Sequence, residues 1–177
     1  MTKNQKLTFT ALCAALAATL TLTAYFPYVT YAAAAIAGLV MLAVVIELDC
    51  KWALGAFLAS AVPVLLLTEP EAKLLYLAFF GWYPIAKAKI ESLSRNVIEW
   101  FLKMLLFNAA VAGLYFLTSL ITDITVQQLG IFGKYSIYVL WVLGNAIFVL
   151  YDIAVSQVAA FFHLRIHPKI KRMFNRK

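Results

Sequence analysis

The chain alternates long apolar segments with short polar connections, and the apolar segments have the length of membrane-spanning helices. A helix needs about 20 predominantly apolar residues to cross a bilayer. Six such segments are predicted to be helical, over residues 7–26, 29–48, 52–68, 72–90, 97–120 and 135–163. The pattern therefore predicts an all-α, polytopic membrane protein with a single transmembrane domain over residues 1–177.

Helix breakers and caps refine three of these segments. Pro63 predicts a kink or an early end in the third helix unless its neighbours satisfy the freed carbonyl. Gly81 and Pro84 lie together in the fourth helix, a combination that predicts a kink. Asn96, followed three residues later by Glu99, is typical of an N-cap, so the fifth helix is predicted to begin at the next residue.

Composition agrees with a lipid environment for most of the chain. Hydrophobic residues make up 64% of the sequence and the mean hydropathy is +0.88, whereas soluble domains are about 45–50% apolar. The six segments leave no room for a soluble domain. Cys13 and Cys50 lie in or beside apolar segments without a paired spacing, so they are interpreted as small buried residues.

The positive charges are distributed unequally between alternate connections. Twelve lysines and arginines lie in the N-terminus, the second and fourth connections and the C-terminal tail, whereas only Lys73 and Lys134 lie on the opposite side. The positive-inside rule then places both termini in the cytoplasm and favours an even number of spans. The net charge of +7 is therefore interpreted as a consequence of the orientation of the chain in a bacterial plasma membrane. No nucleic-acid partner is predicted.

Polar groups inside a bilayer are costly and mark candidate functional residues. Four of them lie within the apolar segments: Lys103, Asn108, Asn145 and Asp152. Lys103 is predicted to pair with Glu99 or to extend its side chain to the cytoplasmic surface. Asn108 is predicted to form a hydrogen bond across helices. A buried aspartate requires a partner, and Asp152 is predicted to pair with Lys103 or Lys87.

Motifs for enzymatic chemistry are absent from the sequence. It contains no GxSxG, HExxH, GxGxxG, Walker A or paired CxxC motif, so no catalytic residue and no cofactor is predicted. His163 and His167 are four residues apart, but Pro168 and the surrounding basic residues argue against a metal site. Because no ATP-binding element is present, active transport would take its energy from another subunit or an ion gradient.

The opening KLTFTALCAALAATLTLTAYFP resembles the start of the S components, the substrate-binding membrane subunits of energy-coupling factor transporters. In that family an AxxxA row on the first helix docks on a transmembrane coupling subunit, and the matching pairs here are Ala11 with Ala15 and Ala14 with Ala18. The length, the six spans and the cytoplasmic termini also fit. The segment 79–103 resembles small membrane proteins of Gram-positive bacteria without an assigned activity.

This resemblance implies a vitamin or micronutrient site near the outer face, under the first, third and fifth connections. The lining residues that it implies are Tyr28, Tyr31, Glu69, Glu71, Asp123, Gln127 and Gln128. It also implies a coupling subunit and ATPases as partners in the bilayer. We call the cytoplasm-facing segment 79–103 the inner elbow. Lys87 and Arg95, which lie in it, are then assigned to partner docking.

The sequence leaves three possible functions open. The first is a substrate-binding subunit of a modular importer. The second is a non-catalytic membrane scaffold whose inner elbow and basic tail dock a cytoplasmic protein or an anionic lipid. The third is an intramembrane enzyme that uses the inner lysines and acids on a lipid.

Overall fold

A computed structural model of the chain describes residues 1–26, 28–93, 95–121, 136–168 and 170. These residues form seven α-helices and no β-strand. The helices are α1 (Lys3–Leu22), α2 (Thr30–Glu47), α3 (Cys50–Leu67), α4 (Pro70–Leu75), α5 (Tyr83–Glu91), α6 (Asn96–Ile121) and α7 (Ser136–Phe161). Short 3₁₀ and π segments extend several of them.

Helices α1, α2 and α3 pack against one another and form the main core. It includes five alanines with no solvent-accessible surface: Ala17, Ala34, Ala37, Ala53 and Ala56. Small side chains allow helix backbones to approach closely, which is how helices gain dispersion contacts in a bilayer that offers no hydrophobic driving force between them. Pro63 does not end α3, which continues to Leu67.

The single helix predicted over 72–90 is divided into three pieces. A π-helical turn, Tyr76–Phe80, separates α4 from α5, and the N–H of Gly81 donates to the Tyr76 carbonyl at 2.8 Å. A side chain at Gly81 would lie 2.5 Å from the Phe57 ring, so only glycine fits this approach. Pro84 is the second residue of α5, in the first turn, where a backbone N–H has no partner within the helix, so its absence costs nothing.

Helices α6 and α7 lie at the periphery and expose large apolar side chains. The following are more than half exposed: Val97, Phe101, Phe116, Tyr138, Ile147 and Leu150. A surface of this kind suits lipid rather than water. Five helices of the described chain, namely α1, α2, α3, α6 and α7, are long and apolar enough to cross a membrane, and the broken fourth segment is not among them.

The helices define two ends of the molecule. At the first end, Glu47 at the end of α2 meets His167 beyond α7, with 3.1 Å between Oε1 and Nδ1. We call this the basic end, because it also holds Lys51 and Arg95. At the opposite end, the Tyr25 hydroxyl donates to the Leu67 carbonyl at 2.9 Å.

Candidate functional site

Asp152 on α7 lies at the centre of a buried group of charged side chains near the basic end. Its Oδ1 forms an ion pair with Lys87 of α5 and accepts a hydrogen bond from the Tyr83 hydroxyl at 2.5 Å. Its Oδ2 lies 3.2 Å from the Lys103 ammonium of α6. The Lys87, Lys103 and Asp152 side chains are only 3%, 5% and 4% exposed. One carboxylate therefore links three helices.

Glu91 completes what we call the charge cluster, which consists of Tyr83, Lys87, Glu91, Lys103 and Asp152. Its Oε1 lies 2.9 Å from the Lys87 ammonium and 2.7 Å from the Lys103 ammonium, and its side chain is 41% exposed. Two ammonium groups and two carboxylates cancel in charge. This neutrality allows the group to be buried, since an uncompensated charge in a low-dielectric interior costs several kcal/mol.

The local sequence explains how α5 contributes three members of the charge cluster. Tyr83, Lys87 and Glu91 are spaced by four residues and so lie along one face of the helix. A π turn separates α5 from α4, and this face of α5 contacts α7 at Asp152. The predicted partnership of Asp152 with Lys103 or Lys87 is confirmed, and both lysines take part. Sequence reasoning missed Tyr83 and Glu91, although their spacing from Lys87 was visible.

The structure corrects the prediction for Lys103. Its ammonium neither pairs with Glu99 nor reaches the surface, but turns inward to Glu91 and Asp152. The reason is that two carboxylate contacts, with the half-exposed Glu91 on α5 and the buried Asp152 on α7, replace the water that a surface position would offer. Lys87 is likewise buried, so its charge is not presented to a docking partner, whereas Arg95 is exposed.

A second polar contact joins α6 and α7 deeper in the membrane segment. The Asn108 amide donates to Asn145 Oδ1 at 3.0 Å, and its oxygen accepts from the Trp141 indole at 2.7 Å. This confirms the predicted hydrogen bond of Asn108 across helices.

Asn96 is the first residue of α6 rather than its N-cap, because the N–H of Glu99 donates to the Arg95 carbonyl.

What we call the membrane cleft consists of two adjoining cavities between the charge cluster and the opposite end. Its inner part is a cavity of about 210 Å³ and its outer part is a cavity of about 330 Å³. Both are lined by Leu75, Val111 and Leu114, so the two cavities adjoin. The inner cavity lies between the fourth segment, α6 and α7, and the outer cavity lies between α2, α4 and α6.

The inner part of the membrane cleft is aromatic. Phe107 and Phe148 stack with ring centroids 4.6 Å apart, and Phe79 meets Phe148 edge to face at 5.8 Å. Tyr151 also lines this part, and Phe148 lies one helical turn from Asp152. The charge cluster thus fixes the three elements that carry the aromatic walls.

The outer part of the membrane cleft contains two residues that the family resemblance implies. Tyr31 and Glu71 line it together with Tyr115. Glu69 instead accepts a hydrogen bond from the Thr30 hydroxyl at 3.2 Å.

The remaining implied residues lie elsewhere. Tyr28 is fully exposed, with φ at 69°, in the left-handed region that a tyrosine rarely adopts. Asp123, Gln127 and Gln128 lie outside the described residues.

The two alanine pairs of α1 have different environments. Ala14 and Ala18 are buried in the core against neighbouring helices of the same chain. Ala11 and Ala15 are exposed and share a face of α1. Of the two pairs, only Ala11 with Ala15 is available to a partner.

Comparisons with known protein families, with characterised proteins and with solved structures find no match for this chain. The fold itself defines the class. The chain is an α-helical membrane protein, and its described part holds five helices suited to crossing a bilayer, a neutral charge cluster at one level and an aromatic cleft beyond it.

Proposed function

We propose that the chain is the membrane-embedded substrate-binding subunit of a modular importer of the energy-coupling factor type. The observation that carries this proposal is the membrane cleft, which has a polar mouth at Tyr31 and Glu71 and an aromatic interior. Ligand sites in proteins are typically concave and largely apolar, with a few convergent polar groups. The cleft has this character and the scale of a small-molecule site.

The proposed topology places the mouth of the cleft outside the cell. In this topology the fourth segment also crosses the bilayer, which makes six spans. The basic end faces the cytoplasm according to the positive-inside rule. The break at Tyr76–Phe80 is tolerated at membrane depth because it is covered by protein, with Tyr76 and Phe79 buried. A nutrient then enters from the outside and reaches the aromatic walls.

The cleft also indicates the chemistry of the substrate. An apolar or aromatic body would lie against Phe107 and Phe148, while a hydrogen-bonding or cationic group would remain near the Glu71 carboxylate. This division fits a vitamin-like micronutrient better than a strongly polar ion or sugar. The exposed face of Ala11 and Ala15 supplies a surface on which a coupling subunit would dock closely.

The enzyme alternative has less support from the charge cluster. Lys87, Lys103 and Asp152 are buried, and Glu91 completes the neutralisation of their charges, so they do not meet a lipid substrate. The arrangement instead suits a structural tie that holds α5, α6 and α7 around the cleft. The scaffold alternative depends on the basic end, which carries a separate groove.

Filling the membrane cleft should abolish ligand retention without unfolding the protein. Gly144 lines the inner part, and a Cβ there would lie 3.7 Å from the Phe107 ring, so Gly144→Leu projects into the cavity. Gly113→Leu is the matched control, because a Cβ at Gly113 meets nothing within 4 Å. Compounds released by denaturing the purified proteins are identified by mass spectrometry.

We expect the unmodified protein and Gly113→Leu to release the same compound. Gly144→Leu should release about a tenth of it or less, since the loss of a well-packed ligand contact costs about 1.4 kcal/mol or more. Equal release by both variants would contradict the assignment of the cleft, as would a protein from native membrane that releases no compound.

A further inference from the structure

A groove of about 640 Å³ lies at the basic end, between the connection from α2 to α3 and the side of α5. One wall is apolar and includes Leu54, Trp82 and Ile85. Its rim carries Lys51 and Lys89. The groove is therefore apolar within and cationic at its edge, and it shares no lining residue with the membrane cleft.

The two rim lysines are not used by the fold. Both are exposed, and within the described chain neither has an ion-pair partner. Lys87, two residues before Lys89, provides the contrast, because its ammonium is buried against Asp152 and Glu91. Two solvated cations beside one groove favour an anionic occupant.

The acidic residue at the rim is already engaged. Asp49 caps α3, and its Oδ1 accepts from the backbone N–H groups of Lys51 at 2.7 Å and Trp52 at 3.1 Å. The helix dipole offsets part of its negative charge. The rim therefore keeps its attraction for an anion despite this carboxylate.

The apolar wall lies where lipid is the neighbour. Leu54 is 48% exposed one turn into α3, a helix that is suited to crossing the membrane. The indole N–H of Trp82 is satisfied by the Ala78 carbonyl at 2.9 Å, so its ring offers the groove an apolar face. An occupant must be anionic at the rim and apolar along this wall.

We propose that this groove binds an anionic phospholipid. The headgroup phosphate lies between Lys51 and Lys89, and the start of an acyl chain lies along Leu54 and Trp82. A lipid is favoured over a protein segment because the cationic rim and the lipid-facing wall match the two parts of one phospholipid at the depth of its headgroup. This site is independent of the proposed transport function.

The test uses the full chain, delipidated in detergent and incubated with equal amounts of phosphatidylglycerol and phosphatidylcholine. Native mass spectrometry then counts the lipids retained. The variant is Lys51→Gln with Lys89→Gln. The matched control, Lys3→Gln with Arg95→Gln, removes the same charge from exposed positions that do not line the groove. A thermal unfolding curve of each protein in the same detergent checks that it is folded.

We expect the unmodified protein and the control to retain phosphatidylglycerol in preference to phosphatidylcholine. The groove variant should lose about 10- to 30-fold of this preference, as each lysine near an anionic surface contributes about fivefold. Equal losses in variant and control would overturn the site in favour of diffuse charge attraction.

Two further outcomes would also overturn the proposal. Glycerol phosphate is added as a competitor without acyl chains, and competition as strong as that of the lipid would show an anion site with no lipid role. A polypeptide that copurifies on the groove and resists displacement by phosphatidylglycerol would show a protein-docking surface.

Discussion

Replacing Asp152 with asparagine is expected to lower the free energy of unfolding by about 3–5 kcal/mol, the cost of removing one partner from a buried ion pair. The amide keeps the shape of the side chain and still accepts from Tyr83. The buried Lys87 and Lys103 ammoniums, however, lose their shared carboxylate and keep only Glu91 as an ion-pair partner. Thermal or denaturant unfolding in detergent measures the change.

Two comparisons separate this pairing from a general effect of substitution. Glu91→Gln should cost clearly less, because the Glu91 side chain is 41% exposed and water replaces part of its interaction. The double change of Asp152→Asn with Lys103→Met should be milder than the sum of the single changes, because it removes both members of a pair. Strict additivity would show that the two residues are not coupled.

Adding a single methyl group to Gly38 is expected to cost about 1–3 kcal/mol or more, as for other overpacked sites. A Cβ at Gly38 would overlap the Phe80 carbonyl at the end of the π turn and approach the Tyr151 hydroxyl at 3.2 Å. Because the overlap is with backbone, α2 must move away from the fourth segment. Unfolding of Gly38→Ala in detergent measures the cost.

Gly55→Ala is the matched control for this substitution. A Cβ at Gly55 in α3 meets nothing within 4 Å, so the change should stabilise the helix by up to about 1 kcal/mol through helix propensity. If Gly38→Ala and Gly55→Ala had the same effect, the close approach of α2 to the π turn would be wrong. Phe80 also lines the membrane cleft, so Gly38→Ala should weaken ligand retention as well.

The apolar segments were predictable because bilayer thickness sets the length of a spanning helix, independently of how helices pack. The ends of α2 and α3 fall within two residues of the prediction. The break in the fourth segment was only partly predictable. Gly81 and Pro84 indicate a kink, but the position of the π turn depends on the approach of Gly38 and Phe57 from other helices.

The charge cluster shows the same division between local and tertiary information. A buried aspartate needs a cation, which was sufficient to predict a lysine partner for Asp152. That Lys87 and Lys103 both meet it, with Glu91 bridging them, depends on how α5, α6 and α7 are placed. The membrane cleft is a gap between packed helices, so no pattern in the sequence indicates its interior.

Native mass spectrometry of the chain, purified mildly from its own membrane, tests the proposed function most directly, because one spectrum shows both bound small molecules and protein partners. We predict a small molecule on the chain and a larger assembly with a second membrane subunit and ATPases. Ala11→Leu with Ala15→Leu should lose the assembly but keep the small molecule, whereas Ala59→Leu, at an exposed position on α3, should keep both. A chain that carries lipid alone, with no small molecule and no partner, would contradict the account.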